Sequence, residues 1–282
     1  MDRANLSIIQ RAALDTFLAL TFPKGISVLD APCGNGSLAA TLRQAGYDAH
    51  GVDINATGAG LLGPAYHDVD LNGRLPFADA LFDVALSLEG IEHLENRFAY
   101  LRELRRVLKP QGTLILTTPN IVGLRSRVRF FGSGFYHRDS RPLVEAERNP
   151  FHHVALGTFA DLRYALHTSG FRLTGVSHTH IKPVSFLYGW LVPWIWLYTS
   201  IAFRKEKNAA QRRTNREVRS ALFSKSVLFG ENLLLTAQVH GSGFTVQPLP
   251  SARDSRQTIP TSKTAPSGPH GSPGAAPRSF PS

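Results

Sequence analysis

The sequence predicts an α/β fold in which a parallel sheet carries helices on both faces. Short apolar runs alternate with segments of helical periodicity through most of the 282 residues. Glycine and proline turn signals separate the two kinds of segment. Because parallel neighbours need crossover helices, this alternation predicts a doubly wound sheet.

The first element is a helix over residues 5–20, within an N-terminal segment that covers residues 1–24. Its apolar side chains recur at helical spacing. They are Leu6, Ile9, Ala13, Phe17 and Leu20. Pro23 and Gly25 then break the chain.

The main domain is predicted over residues 25–240, and its first half alternates strands with helices. Strands are predicted at residues 26–30, 49–53, 82–88 and 113–118. Helices are predicted at residues 37–45 and 97–108, and a turn over residues 109–112 ends the second one. The glycine-rich stretch after residue 53 leaves room for a short helix at most.

The second half carries one more helix and two more strands. Thr158 and Asp161 predict a capping box for a helix over residues 159–169, and Gly170 predicts its end. Strands follow at residues 171–177 and 232–239, with an apolar and basic insertion over residues 183–226 between them. Residues 241–282 are predicted to be disordered, because they are rich in proline, serine and glycine.

Charge and cysteine content exclude several classes of protein. The single cysteine, Cys33, excludes an intramolecular disulfide, and no metal-ligand spacing such as H-E-x-x-H occurs, so no metal site is predicted. The net charge of +10 is concentrated in residues 204–225, with eight Lys/Arg and two Glu, and in the tail. The body is nearly neutral, which argues against a nucleic-acid groove. Since no apolar signal-peptide core follows Met1, we expect a cytoplasmic protein.

The sharpest motif is the loop that joins the first strand to the first helix, D-A-P-C-G-N-G from Asp30 to Gly36. Gly34 and Gly36 lack a Cβ atom, so the backbone turns tightly and a ligand can approach it. Asp53 ends the second strand, where a carboxylate accepts hydrogen bonds from ribose hydroxyls. These features alone suit a nicotinamide-dependent dehydrogenase as well.

Further segments resemble the class I S-adenosylmethionine-dependent methyltransferases. The loop resembles that family's first motif, with Pro32 in place of a glycine. Residues 70–77 resemble the loop after the third strand, residues 89–94 the segment after the fourth, and residues 101–120 the following helix and fifth strand. The resemblance implies a Rossmann-like sheet of seven strands whose last strand is antiparallel. It also implies S-adenosylmethionine as the cofactor.

The resemblance assigns site residues by their motif positions. Asp53 would anchor the ribose, Asp70 would face the adenine amino group, and Leu71 would pack on the adenine ring. Ser87 and Leu88 would line the site beside the methyl group. The complete set of expected cofactor-binding residues is Asp30, Pro32, Gly34, Asn35, Gly36, Asp53, Ile54, Asp70, Leu71, Ser87 and Leu88.

The acceptor side is predicted from residues that follow the fourth and fifth strands. His93 is the candidate general base, and a histidine that only packs against the next helix is the alternative. His153 is expected to line the acceptor site. Arg125 and Arg129 lie in an arginine-rich region over residues 121–150 and would bind a carboxylate or phosphate. A solvated basic loop is the alternative for them.

Residues 183–203 contain no charged side chain and hold all three tryptophans. Gly189 and Pro193 near the middle argue against a membrane-spanning helix, as do the central aromatic rings. We expect a broken hairpin that lies on a membrane surface, with the contact extending over residues 183–213 to basic side chains. A buried insertion or a dimer contact is the alternative.

The sequence therefore predicts a methyltransferase that O-methylates a lipid-linked, glycolipid or other amphiphilic acceptor at a membrane surface. A quinone or other small-molecule methyltransferase is the alternative within the class. An NAD(P)-dependent oxidoreductase and a membrane-surface module without catalysis are the alternatives from other classes.

Overall fold

The computed structural model describes residues 3–136, 142–146 and 149–241. The expected disordered tail therefore lies outside the described residues, except for Gly241. The first helix, α1 (Ile8–Ala19), begins at a capping box formed by Ser7 and Gln10, three residues later than the periodicity predicts.

The described residues form seven strands and eight further α-helices. The strands and helices that the sequence predicts are present with small shifts at their ends, whereas the strand over residues 66–68 and the helices over residues 124–133, 209–222 and 225–229 were not predicted. The strands are β1 (Ser27–Asp30), β2 (Asp48–Asp53), β3 (Tyr66–Asp68), β4 (Phe82–Leu88), β5 (Leu108–Pro119), β6 (Phe171–His178) and β7 (Asn232–Val239). The other helices are α2 (Ser37–Gln44), α3 (Ala59–Leu62), α4 (Arg97–Val107), α5 (Leu124–Ser133), α6 (Phe159–Thr168), α7 (Val192–Arg204), α8 (Ala209–Leu222) and α9 (Lys225–Phe229).

The strands form one sheet in the order β3-β2-β1-β4-β5-β7-β6. Pairs from β3 to β5 are parallel, and β7 lies antiparallel between β5 and β6, as the resemblance implies. Because β5 and β6 both pair antiparallel with β7, their carboxyl ends meet the same sheet edge as those of β1, β2 and β4. We call this the carboxyl edge.

Helices cover both faces of the sheet, which confirms the doubly wound architecture. On one face, α1 and α2 pack through side chains such as Phe17 and Leu38. On the other face, α4 and α6 pack through Leu101 and Leu162. These four side chains are at most 2% exposed, so the sheet is buried on both sides and only its edges remain for ligands.

The boundary predicted between α4 and the fifth strand differs from the structure. The turn expected over residues 109–112 is a bulge within β5: Leu108 pairs with Phe82, and regular pairing resumes only at Thr113 and Val84. Gln111 takes the left-handed conformation (φ +63°) inside this bulge. The turn chemistry is therefore present, but the strand begins before it.

The broken hairpin expected over residues 183–203 is wrong. A 3₁₀ helix over Pro183–Leu191 continues into α7 without a break, since Leu191 and Val192 both keep right-handed helical angles. Pro193 falls in the first turn of α7, where a proline is tolerated. We call the continuous 22-residue segment Pro183–Arg204 the aromatic helix; among the described residues, it is the one helix long and apolar enough to cross a membrane.

Candidate active site

A cavity of about 1160 Å³ opens at the carboxyl edge, beside the ends of β1, β2 and β4. Most of the residues predicted to bind the cofactor line it. They are Asp30, Pro32, Gly34, Asn35, Asp53, Ile54, Asp70, Leu71 and Leu88. The sequence motifs and the cavity therefore identify the same region of the fold.

Backbone hydrogen bonds hold the glycine loop between the neighbouring strands. The Cys33 N–H donates to Val52 on β2, and the Ala31 N–H donates to Leu86 on β4. The Gly34 N–H donates to Oδ2 of Asp53 at 2.8 Å, so the acidic side chain and the loop face each other. Asp53 Oδ1 accepts from the Asn55 N–H at 2.9 Å. Asp53 thus also positions the loop, a role that the sequence did not reveal.

The two loop glycines have different roles. Gly34 has a positive φ of +54°, and a Cβ atom there would meet nothing within 4 Å, so its backbone is open to the cavity. Gly36 (φ +76°) precedes α2 and packs against Leu62 and Gly58 instead. Gly36 lies outside the cavity lining, so its contact with the cofactor stays a prediction.

Asp30 is a buried carboxyl group in the cavity wall. Burial is the main cause that raises its pKa to about 8; the backbone of Ala39 partly offsets the shift, and nearby Asp53 adds to it. Among the described residues, none donates a hydrogen bond to its buried Oδ2 atom. A buried acceptor without a donor indicates that a ligand group completes the site.

The adenine side of the site, as the resemblance assigns it, has suitable chemistry. Asp70 Oδ1 accepts hydrogen bonds from the backbone and side chain of Asn72, which fixes the carboxylate in an Asx turn. Leu71 and Leu88 are buried apolar side chains, whereas Ile54 is 49% exposed in the cavity. An apolar slot with a fixed acceptor at its end suits an aromatic base that carries an amino group.

Ser87 does not line the cavity, so this part of the prediction is wrong. Its hydroxyl is fully buried and lies 3.1 Å from the Tyr100 hydroxyl, which donates to the Ala31 carbonyl at 2.6 Å. On strand β4, alternate side chains face opposite sides of the sheet, and Ser87 faces α4. Ser87 and Tyr100 support the start of the glycine loop from below.

Cys33 packs inside the glycine loop, as predicted. Its side chain is buried, and burial raises the pKa of the thiol. The thiol therefore stays protonated at neutral pH, which argues against a nucleophilic role.

Glu89 is a cavity residue that sequence reasoning missed. It has a positive φ of +50°, and its N–H donates to Oγ1 of Thr117 at 3.1 Å. The buried Asn232 side chain donates to Oε2 of Glu89 at 2.6 Å. Because β7 comes last in the chain and pairs beside β5, no local pattern predicted that Asn232 would reach this carboxylate.

His93 lines the cavity, and His153 lies next to it with ring centroids 4.8 Å apart. The Nδ1 atom of His93 lies 3.1 Å from the His152 carbonyl, which can only accept, so Nδ1 carries the proton and Nε2 is the basic nitrogen of the neutral ring. Buried Glu92 accepts a hydrogen bond from Thr118. The ligand atoms of Glu92, His93 and His153 lie within 4.8 Å of one another and could hold a metal ion, a cluster that the sequence spacing did not predict.

Arg125 and Arg129 do not reach the cavity, so their predicted role in acceptor binding is wrong for this structure. Arg125 pairs with the buried Glu231 at 3.3 Å, and Glu231 also pairs with Lys182 at 3.1 Å. Arg129 is exposed on α5. Both belong to the surface beside the aromatic helix, because α5 packs there rather than over the cavity.

The described part of the acceptor side is formed instead by α1 and by residues 143–145, 149–152 and 154. Ile9 and Gln10 of α1 line the cavity, although the periodicity of that helix indicated only a packing role. Leu143, Val144 and Phe151 line it as well and are 42–64% exposed. Exposed apolar side chains in a cavity wall indicate a ligand with an apolar part.

The arrangement defines a class I S-adenosylmethionine-dependent methyltransferase. The last strand is antiparallel, the glycine loop meets an acidic residue at the end of the second strand, and the cavity lies at the carboxyl edge. Residues 2–176 match a family model described as a methyltransferase domain, and the chain belongs to that family.

Individual relatives agree with this assignment. The chain is 30% identical over 161 residues to a probable S-adenosylmethionine-dependent methyltransferase of Mycolicibacterium smegmatis, with 55% of this chain and 56% of that protein covered. It is 31% identical over 118 residues to a ubiquinone biosynthesis O-methyltransferase of Cereibacter sphaeroides, with 39% and 48% covered. The chain thus spans about half the length of the curated relatives that it matches.

A solved structure of a methyltransferase from Archaeoglobus fulgidus has the same fold. It superposes with a TM-score of 0.50 at 17% identity and covers 82% of this chain and 94% of its own. The family match favours a methyltransferase over the nicotinamide-dependent alternative, and S-adenosylmethionine is the cofactor.

The residues of the cavity fit that cofactor. S-Adenosylmethionine carries a cationic amino acid portion, and the buried Asp30 Oδ2 is an acceptor still to be satisfied. Gly34 leaves open space beside the loop, and Asp53 and Asp70 carry carboxylates where the ribose and adenine would be held. The cofactor would therefore be held by Asp30, Gly34, Asp53 and Asp70. These four assignments are predictions.

We expect Gly90→Ala to weaken cofactor binding about tenfold or more. A Cβ atom on Gly90 would collide with the ring of Pro32, and the rigid ring cannot move without moving the glycine loop. Calorimetric titration with S-adenosylhomocysteine measures the effect. Gly60→Ala is the matched control, because a Cβ atom there meets nothing within 4 Å. Equal affinities of the two variants would contradict the packing argument.

Proposed function

We propose that the protein methylates a hydroxyl group of an amphiphilic acceptor, lipid-linked or glycolipid in type, at the cytoplasmic surface of a membrane. The observation that carries this proposal is the composition of one continuous cavity. The carboxylates of Asp30, Asp53 and Asp70 line this cavity, and His93 and exposed apolar side chains line it as well.

The size of the cavity supports binding of two ligands together. Pockets for one drug-sized ligand span roughly 300–1000 Å³. The cavity of about 1160 Å³ exceeds that range and is therefore large enough for a cofactor and an acceptor. Catalysis then depends mainly on alignment of the two, since an activated methyl donor needs little further activation.

When bound, S-adenosylmethionine supplies a methyl group on a sulfonium, ready for an in-line displacement. The protein positions the acceptor hydroxyl and removes its proton. Nε2 of His93 accepts that proton, because Nδ1 already carries a proton and donates a hydrogen bond to the His152 carbonyl. The carboxylate of buried Glu92, whose oxygen lies within 4.8 Å of ring nitrogens of His93 and His153, stabilises the imidazolium that forms.

The apolar acceptor end favours an amphiphile over a small polar metabolite. Leu143, Val144, Phe151 and Val154 present exposed apolar surface along the cavity wall. Burying that surface against an acyl or isoprenoid chain yields about 25 cal/mol per Å². A quinone methyltransferase is the second candidate, and the identity to a ubiquinone biosynthesis O-methyltransferase favours it.

The acceptor is identified by incubating methyl-labelled S-adenosylmethionine and the protein with separated membrane and soluble cell fractions. We expect label in lipid extracted from the membrane fraction. A labelled quinone would favour the second candidate, and a labelled water-soluble product would contradict the amphiphilic acceptor. Tight NAD binding without sulfonium binding would contradict the methyltransferase itself.

We expect His93→Ala to lower turnover by about 10²–10⁴-fold while the affinity for S-adenosylhomocysteine stays within twofold of the wild type. His240→Ala is the control, because His240 follows β7 at the opposite edge of the sheet. Unchanged turnover would show that His93 only packs. A wild type that loses activity to a chelator and regains it with a divalent metal would reassign the Glu92–His93–His153 cluster to metal binding.

A further inference from the structure

The aromatic helix has an inverted distribution of polar and apolar side chains. Toward the protein it buries two serines, Ser185 at 2% exposure and Ser200 at 6%, the latter accepting a hydrogen bond from Arg219 at 3.3 Å. Toward solvent it presents Trp190 and Trp194, each 68% exposed. A surface helix of a soluble protein normally buries its apolar stripe, so this apolar side needs another environment.

Five of the exposed apolar side chains form a stripe along the helix. Leu187, Trp190, Trp194, Tyr198 and Ile201 follow one another at intervals of three or four residues, which places them on one side of a helix. Each is at least 51% exposed. We call these five residues the aromatic face.

The aromatic helix does not cross a bilayer, although it is long enough. It lies between β6 and β7, which pair from Phe171 with Val239 to His178 with Leu233. A single crossing would put these paired strands on opposite sides of the membrane. No other described helix is long and apolar enough for the chain to return. The aromatic face can therefore bury itself in lipid only if the helix lies in the plane of the interface.

Positive charge follows the aromatic helix in the sequence. Helix α8 packs against α7 and has no buried residue. The segment over residues 204–225 carries eight Lys/Arg and two Glu, and Arg212, Arg213 and Arg216 are exposed in it. Tryptophan, tyrosine and leucine beside exposed arginine are typical of helices that lie at a bilayer interface with anionic headgroups.

The aromatic helix starts at the same edge of the sheet as the catalytic cavity. β6 ends at His178, whose pairing partner Leu233 adjoins Asn232, and Asn232 pairs with Pro119 at the end of β5. Asn232 also donates to the cavity residue Glu89. A membrane on the aromatic face would therefore lie toward the carboxyl edge, where the cavity opens.

We infer that the aromatic face and α8 together form a docking surface for a bilayer that contains anionic lipid. The family match ends at residue 176, before this surface begins, so the family assignment does not include it. The inference rests on the proposed function in one respect: the docking surface would bring the active site to an acceptor that is held in the membrane. The surface itself can be tested without the reaction.

Native tryptophan fluorescence reports on the aromatic helix alone, because all three tryptophans of the chain lie in it. The full chain is mixed with vesicles of phosphatidylcholine alone and with vesicles that also contain phosphatidylglycerol. We expect co-sedimentation and a blue shift of the emission with the anionic vesicles. Absence of both with either vesicle, or equal binding to the two, would overturn the inference.

Two sets of variants separate the apolar and ionic parts. Leu187→Ser/Trp190→Ser/Tyr198→Ser should abolish the blue shift of the remaining tryptophans, while the exposed Leu61→Ser/Tyr164→Ser should not. Arg212→Gln/Arg213→Gln/Arg216→Gln should weaken binding to anionic vesicles at least about tenfold. The exposed Arg11→Gln/Arg102→Gln/Arg172→Gln is its charge-matched control.

Two further measurements keep the outcomes distinct. Affinity for S-adenosylhomocysteine should stay at the wild-type value in both sets of variants. That result shows that the variants are folded, and it separates a loss of membrane docking from a loss of the cofactor site. Sedimentation equilibrium tests the rival occupant. A dimer that the aromatic-face variants dissociate, together with no vesicle binding, would assign the face to a second copy of the chain and overturn the inference.

Discussion

Asp53→Ala should lower the affinity for S-adenosylhomocysteine on the order of a hundredfold, about 3 kcal/mol. Hydrogen bonds to a charged acceptor contribute roughly 1.5–3 kcal/mol each, and the variant would lose those expected from the ribose hydroxyls. It would also lose the bonds from Gly34 and Asn55 that hold the glycine loop against β2. The effect on binding should therefore exceed that of the ribose contacts alone.

The same substitution should reduce the free energy of unfolding of the cofactor-free protein by about 1–3 kcal/mol, because the Gly34 N–H loses its acceptor. Asp48→Ala is the control, since Asp48 begins the same strand with an exposed side chain. Calorimetric titration and urea unfolding measure the two effects. If Asp53→Ala binds like Asp48→Ala, Asp53 has no role in the cofactor site.

The cofactor side of the site could be predicted because its chemistry is written in short, local segments. Gly34 follows β1 and Asp53 ends β2, and the carboxyl ends of parallel strands necessarily meet at one edge. The positions of Asp70 and Leu71 in the cavity came from the family resemblance, not from periodicity. Ser87 failed because a motif position does not tell which face of the strand a side chain takes.

The acceptor side could not be predicted to the same extent, because its residues meet through long-range packing. Asn232 reaches Glu89 only because β7 inserts between β5 and β6. The guanidinium of Arg125 suggested an anionic acceptor, yet its nearest carboxylate partner is the buried Glu231, more than a hundred residues later. The sequence shows which side chains are charged, but the tertiary fold determines which partner each one contacts.

The aromatic helix illustrates the same limit at a larger scale. Gly189 and Pro193 predicted a break, but local preferences are weak compared with continuous helical hydrogen bonding, and a proline in the first turn of α7 removes no required donor. The sequence did indicate that residues 183–203 carry no charge and that positive charge is concentrated after them. The structure adds that the aromatic rings face outward.

Asp30→Asn should make the cofactor-free protein more stable at pH 8 and at the same time weaken cofactor binding. Burial raises the pKa of Asp30 from 3.8 to about 8 in the folded state. The folded protein therefore binds this proton more tightly than the unfolded chain does. Between pH 4 and pH 8 the unfolded chain has released it, so the contribution of Asp30 to stability falls as the pH rises through this window and levels off above it.

An asparagine cannot ionise, so the variant should lack this slope and should gain a few kcal/mol over the wild type near pH 8. Cofactor binding should show the opposite trend, because a cationic ligand favours the ionised carboxyl group. Wild-type affinity for S-adenosylmethionine should rise with pH up to about 8, with a proton released on binding below that value. Asp30→Asn should bind more weakly and release no proton, whereas the exposed Asp48→Asn should match the wild type in both respects.

Titration calorimetry in two buffers of different ionisation enthalpy counts the released protons, and urea unfolding across the same pH range gives the stability. A wild-type protein that releases no proton, or a variant that keeps the wild-type pH slope of stability, would show that Asp30 is ionised before the cofactor arrives. Both effects must be seen together, the gain in stability and the loss of cofactor affinity. A buried carboxyl group that destabilises the cofactor-free protein does not serve folding, so its role must lie in binding. The stability that Asp30 removes is what a bound cation restores, and this coupling between stability and binding is the expected signature of a site built for a sulfonium cofactor.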